Sequence, residues 1–114
     1  MPDCLFCKIR DGGIPAKLVH EDDRCIAFHD INPQAPLHVL VVPRKHIPTL
    51  LDLTADDNAL VGHLHQVAAK IARDHGHADD GFRTVFNCGR LAGQSVWHIH
   101  LHILAGRGLG WPPG

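Results

Sequence analysis

His98, His100 and His102 occupy alternate positions in VWHIHLHILAGR, with Ile99, Leu101 and Ile103 between them. Read as a strand, this stretch puts three imidazoles on one face at a spacing of about 6.5–7 Å and the aliphatic residues on the other. Such a row suits a metal site, a set of hydrogen-bonded core histidines, or a catalytic centre. One histidine on a strand is ordinarily a satisfied structural residue. Three in register are harder to dismiss, since burying each requires its own hydrogen-bond arrangement. A zinc site built from all three is disfavoured, because side chains this far apart on one strand rarely converge on one ion and a fourth ligand is wanted. A catalytic division of labour fits better. The middle imidazole presents one ring nitrogen as a nucleophile, and its neighbours hold the tautomer and stabilise negative charge. Neutral imidazole attacks phosphorus well, and GQS, Gly93–Ser95, lies just upstream to offer backbone N–H groups and a hydroxyl to phosphoryl oxygens.

Cys4 and Cys7 form a second candidate pair, CLFC. A lone C-x-x-C is a weak signal, compatible with a redox motif or two buried thiols, and no strand precedes it as a thioredoxin-like context requires. All four cysteines are expected to be reduced, with Cys25 in RCIAF a buried free thiol and Cys88 in FNCGR structural.

The elements that must position these groups are legible in outline. DCLFCKIRDGG reads as a short helix with Asp3 as N-cap and Gly12 and Gly13 as the stop. AKLVHEDD and RCIAFHDI read as two strands with an acidic turn at Glu21–Asp23, NPQAP as a loop, and LHVLVVP as a strand closed by Pro43. TADDNALVGHLHQVAAKIARDHG is the one long helix, with Thr54 and Asp57 as a capping box, Leu60, Leu64, Val67 or Ala68, and Ile71 as the buried face, and Gly76 as the stop. His63 and His65 on it are expected at rim or solvent positions. FRTVFNC and SVWHIHLHIL complete the strands around the loop GRLAGQ, and Trp97 is expected to pack on the side of Ile99. The Gly/Pro-rich tail GRGLGWPPG is neither helix nor strand, so its Trp111 wants an anchor.

These elements describe one α+β domain spanning 1–114, and a 45% hydrophobic composition is ordinary for a folded core. Eleven Lys and Arg against twelve Asp and Glu, with no block of like charge, argue against a partner that is nucleic acid or an anionic membrane. No apolar run approaches the roughly 20 residues of a membrane span. Asp3, Lys8, Arg10 and Asp11 make the N-terminal stretch unlike a signal or transit peptide, so a cytoplasmic location is expected.

HIHLHIL fits His-x-His-x-His followed by apolar residues, and IPAK, EDDRCIAFHDINPQAPLHVLVVPRKHI, GQSVWHIHLHILAGR and WPPG accompany it at similar spacing. Nearly the whole chain thereby resembles the histidine triad (HIT) family, and within it the Hint branch of purine nucleoside phosphoramidases. The resemblance implies an antiparallel sheet of about five strands with one long and one short helix, extended across a homodimer. It implies hydrolysis of the P–N bond of purine nucleoside 5′-phosphoramidates through a nucleotidylated His100, releasing nucleoside monophosphate and amine. Dinucleoside polyphosphate hydrolysis, or a nucleotide-binding interaction module, is the alternative.

By the same resemblance, His98 and His102 flank the nucleophile, His38 sits behind it to support its protonation, and Ser95 stands near the leaving group. Asn87 and Gln94 match positions near the phosphate. Asp30 matches the ribose-binding acid, although on its own it reads as the cap of the turn into INPQAP. Phe6, Ile9, Ile14, Phe28 and Ile31 match the purine pocket. Some bacterial relatives with a similar C-x-F-C-K-I segment carry a structural zinc, which here would fall on Cys4, Cys7, His46 and His98 and is not required for catalysis. In the family's dimers the tail approaches the partner's site, which gives Trp111 a role in leaving-group choice. Arg90–Ala92 depart from the small and acidic residues common at that loop.

Overall fold

The computed structural model describes residues 3–114. Its order is α1 (Leu5–Arg10), β1 (Leu18–Glu21), β2 (Cys25–His29), β3 (Leu37–Pro43), α2 (Asn58–Asp74), β4 (Phe82–Val85) and β5 (Leu101–Ala105). The strands form one antiparallel sheet in the order β1-β2-β3-β5-β4. This is the α+β architecture expected, with one long and one short helix.

Period-two alternation divides the sheet into two faces with different tasks. Cys25 and Ala27 of β2, Val39 and Val41 of β3, and Leu101 and Ile103 of β5 pack beneath Leu64, Val67, Ala68, Ile71 and Ala72 of α2. On the opposite face Ile26, Phe28, Leu40 and Val42 meet Cys4, Phe6 and Cys7 at α1. The central strand β3 is therefore buried along its whole length. His38, an even-numbered residue of β3, faces α1 and not α2, and His102 of β5 stands diagonally across from it, since Leu40 pairs with His102 and His38 with Leu104.

Several boundaries differ from the sequence reading, each for a physical reason. β5 begins at Leu101, not Ser95, so only His102 of the triad is a ladder residue. The β3–β5 ladder ends at Val41↔Leu101. Continuing it would set residue 99 against Pro43, which has no N–H to donate. The chain instead turns its donors elsewhere: Ile99 N–H bonds to Ile47 O at 2.8 Å, and His98 Nε2 to Pro43 O at 2.7 Å. Trp97, outside the strand, is not packed as alternation suggested but 50% exposed. β4 stops at Val85, opposite His102, so Asn87 and Cys88 lie beyond the reach of β5.

The helix N-termini also shift. Cys4, not Asp3, caps α1, its Sγ accepting from Cys7 N–H at 3.4 Å. Thr54 and Asp57 do interact, with Thr54 N–H donating to Asp57 Oδ2 at 3.0 Å, but around a 3₁₀ turn (Ala55–Asp57) that leads into α2. Gly76, at φ 86°, follows the helix as expected. No helix of the described residues is long and apolar enough to cross a membrane.

Candidate active site and metal-ligand cluster

A cavity of about 1090 Å³ opens on the α1 face of the sheet. His100, His102, His38, Ser95 and Asp30 line it, as do Phe6, Ile9, Ile14, Phe28 and Ile31. Its wall also includes Leu40, Val96 and Lys17, which sequence reasoning did not single out. Leu40 was findable, because it shares the face of His38 two residues away on β3. Lys17 carried no signal.

The hydrogen bonds of this wall fix where protons sit. His100 Nδ1 lies 2.8 Å from His98 O. A carbonyl only accepts, so Nδ1 carries the hydrogen and the neutral ring keeps its Nε2 lone pair. That Nε2 has no hydrogen-bond partner among the described residues. Phe6 stands edge-on to the ring at 4.9 Å between centroids and holds its plane. Burial pushes the His100 imidazole below its ordinary value, against the hydrogen bond it donates to His98 O and the charge of Asp30, so it is neutral near pH 7.

The second chain of assignments begins outside the triad. Gln34 N–H donates to His38 Nδ1 at 3.0 Å, and His38 Nε2 lies 2.8 Å from His102 Nδ1. A backbone N–H only donates, so His38 Nδ1 is the acceptor and its Nε2 carries the hydrogen. His38 then donates to His102 Nδ1, which leaves the His102 hydrogen on Nε2. Burial is the main cause that lowers both rings, His102 to about 4. The His100 and His102 rings are 5.0 Å apart. One ring thus offers the site a lone pair and its neighbour offers an N–H.

Asp30 does both things that its sequence allows. Its Oδ1 accepts from Asn32 N–H at 2.8 Å and caps the turn, while Oδ2 stays 3.5 Å from His38 Nε2 on the cavity side. Gln94, Asn87 and His98, all in the expected set, do not line the cavity. Gln94 is buried, its Oε1 accepting from Gly89 N–H at 2.9 Å and its Nε2 donating to Pro48 O and Val96 O. Its side chain braces the 89–94 loop that presents Ser95.

Behind the triad, ligand atoms of Cys4, Cys7, His46 and His98 all lie within 4.8 Å of one another. His98 Nδ1 is 3.4 Å from Cys4 Sγ, 3.6 Å from Cys7 Sγ and 3.2 Å from His46 Nδ1, and Cys7 Sγ is 3.4 Å from His46 Nδ1. Tetrahedral zinc with ordinary bond lengths would separate its ligands by about 3.5 Å for S···N and about 3.4 Å for N···N. The donor chemistry agrees. His98 Nε2 donates to Pro43 O, so the neutral ring points a bare Nδ1 lone pair into the cluster, an arrangement typical of a metal-bound imidazole. Burial drives the His98 imidazole down to about 4.

Residues 3–109 match the family model described as scavenger mRNA decapping enzyme C-term binding. An uncharacterised HIT-like protein of Synechocystis is 53% identical over 112 residues, covering 98% of this chain and 97% of that one. The crystal structure of a HIT family hydrolase from Legionella pneumophila superposes with a TM-score of 0.97 at 50% identity, covering 98% of this chain and 100% of that one. A histidine triad protein from Clostridium difficile gives 0.93 at 50% identity, with 96% of each chain covered.

Proposed function

The chain belongs to the histidine triad family, and from that premise we propose that it hydrolyses the P–N bond of purine nucleoside 5′-phosphoramidates. One observation supports the reading: among the described residues, His100 alone of the triad turns an unpartnered ring-nitrogen lone pair to the cavity, in a ring held neutral. His100 Nε2 attacks the α-phosphorus and the P–N bond breaks. A proton from solvent, relayed through the Ser95 hydroxyl, goes to the departing amine, and the later attack of water returns one to solvent. The Nε2–P bond makes the His100 ring cationic, and its Nδ1–H already donates to His98 O, where that charge is stabilised. His102 Nε2–H serves a phosphoryl oxygen. Water then cleaves the Nε2–P bond, releasing nucleoside monophosphate and restoring the lone pair. Asp30 Oδ2 accepts from the ribose hydroxyls, and Phe6, Ile9, Ile14, Phe28 and Ile31 hold the base.

The test is cleavage of adenosine 5′-phosphoramidate by purified protein, with AMP and ammonia as the expected products. Absence of turnover under conditions where AMP binds would sink the reading. A second substrate is favoured by the size of the cavity, which stands at the upper end of the roughly 300–1,000 Å³ usual for ligand pockets. A dinucleoside polyphosphate fills more of such a space, and faster cleavage of it than of the phosphoramidate would replace the first assignment with the second.

Cys4, Cys7, His46 and His98 are proposed to hold a structural zinc that pins α1 against the sheet. When bound, the ion supplies tetrahedral cross-linking of the N-terminal segment to residues 46 and 98. Metal analysis of protein purified without added zinc should give one equivalent, and a Cys4→Ala, Cys7→Ala variant should lose it. We also propose a homodimer. Among the described residues no strand pairs with the outer edge of β4, whose Phe82 is 40% exposed, and Trp111 is 84% exposed. Pairing of β4 edges would continue the sheet and bring each Trp111 towards the other site. Light scattering at twice the chain mass is the expected result.

A further inference from the structure

The histidine relay starts at a peptide group, and that group is itself held. Gln34 lies in the loop between β2 and β3, where its N–H donates to His38 Nδ1 at 3.0 Å. Its carbonyl, on the other side of the same residue, accepts from Arg107 Nε at 2.8 Å. Two residues on, Pro36 closes against Gly106, where an added Cβ would stand 2.9 Å from Pro36 Cβ and the backbone has φ +94°. Gly106 and Arg107 immediately follow β5, so the strand that carries His102 also clamps the turn that orients His38.

We propose that Gly106 and Arg107 are positioning residues that set the tautomers of His38 and His102 through the Gln34 peptide. A neutral imidazole has two tautomers of similar energy, and in water neither is held. The Gln34 N–H makes one of them pay for an N–H facing an N–H, so His38 Nδ1 stays bare and its hydrogen goes to Nε2. The same polarity propagates to His102 and ends with its Nε2–H on the cavity. Were the turn to move away, His38 could carry its hydrogen on Nδ1, opposed only by Asp30 Oδ2 at 3.5 Å from Nε2. It would then accept from His102 Nδ1, and His102 would present the site with a lone pair in place of a donor. A phosphoryl oxygen would meet repulsion there. Arg107 also donates through Nη1 to Gly108 O, at 3.0 Å, which anchors its guanidinium while Nε holds the turn.

The inference rests on the hydrolase reading for its consequence but not for its test. Long-range ¹H–¹⁵N NMR of the histidine rings reports each tautomer in the resting protein, without substrate. In the parent protein His38 and His102 are expected as Nε2–H and His100 as Nδ1–H. His38 found with its hydrogen on Nδ1 would overturn the proposal by itself, whatever any variant does. Arg107→Ala and Gly106→Ala are then expected to mix the His38 tautomers, with Arg107→Lys restoring much of the parent state. If both alanine variants fold with parent-like amide spectra and keep a single His38 tautomer, the clamp is not what sets it. In turnover of the phosphoramidate, loss of about one hydrogen bond's worth of orientation should lower kcat by about five- to tenfold with KM nearly unchanged. A parent protein with the expected tautomers and no hydrolysis would sink the proposed reaction and leave this inference standing.

Discussion

Two aspartates in this small fold each sit among histidines, and only one of them faces a site. Asp22, after β1, takes His20 Nε2–H at 2.6 Å and His63 Nε2–H at 2.7 Å on Oδ2, and the amides of Arg24 and Cys25 on Oδ1. Burial raises its carboxyl, but the hydrogen bonds from His20, Arg24, His63 and Cys25 outweigh that and hold it well below the usual carboxylate range. Nothing about this carboxylate is left over for a ligand, and the cluster acts as a staple between the β1–β2 turn and α2. Asp30, after β2, spends one oxygen on its own turn and keeps the other towards the cavity. The same distinction separates His63 from His100. Residue types alone do not make a functional site; an unspent donor or acceptor facing open space does.

Breaking the unspent group should give the largest effect. His100→Ala is expected to reduce phosphoramidate turnover by at least about 10³-fold while nucleotide binding, read by calorimetry, is largely retained. Breaking the saturated group should do the opposite. Asp22→Ala removes the acceptor of several part-buried donors, for an expected loss of about 2–3 kcal/mol in chemical denaturation with turnover per folded molecule unchanged. The pH dependence follows from the sign of the shift. A carboxyl lowered in the fold contributes stability that is fully present above its unfolded value of about 3.9 and is lost as pH falls from there towards the folded value. The parent and Asp22→Ala should therefore differ most above about pH 4 and converge in more acidic solution. The smallest effect is expected at Asp30→Asn, which keeps the turn cap but weakens the ribose contact. KM should rise about tenfold with kcat little changed. An equal fall in both Asp30→Asn and Asp22→Ala turnover would erase the distinction drawn between the two clusters.

How far these contrasts could be read in advance depends on where their partners lie. The strands themselves were legible from composition and turn residues, whereas His38 and Phe28 were assigned to the site by family resemblance alone. The start of β5 was not legible, because it is decided by the missing N–H of Pro43, more than fifty residues away in sequence. Gln94 was set near the phosphate by family resemblance, yet its donors and acceptor are taken up by Gly89, Pro48 and Val96. His63 is part-exposed, as its rim reading expected, but helical spacing does not show the Asp22 carboxylate waiting on another element. The four proposed metal ligands came from family resemblance, and the structure adds their mutual distances.

The departure of residues 98–100 from the ladder has a consequence for how the molecule opens. β2, β3 and the start of β5 are tied by continuous strand pairing, whereas His98–His100 is tied by separate bonds to Pro43 and Ile47. Segments held this way open at lower free energy than the sheet beside them. In metal-free protein, hydrogen exchange should therefore find the Ile99 amide released in a sub-global event that leaves Val39 and Val41 protected. The proposed nucleophile, His100, would then sit on the part of the backbone able to yield first, so its alignment can be lost, and regained, without unfolding the sheet.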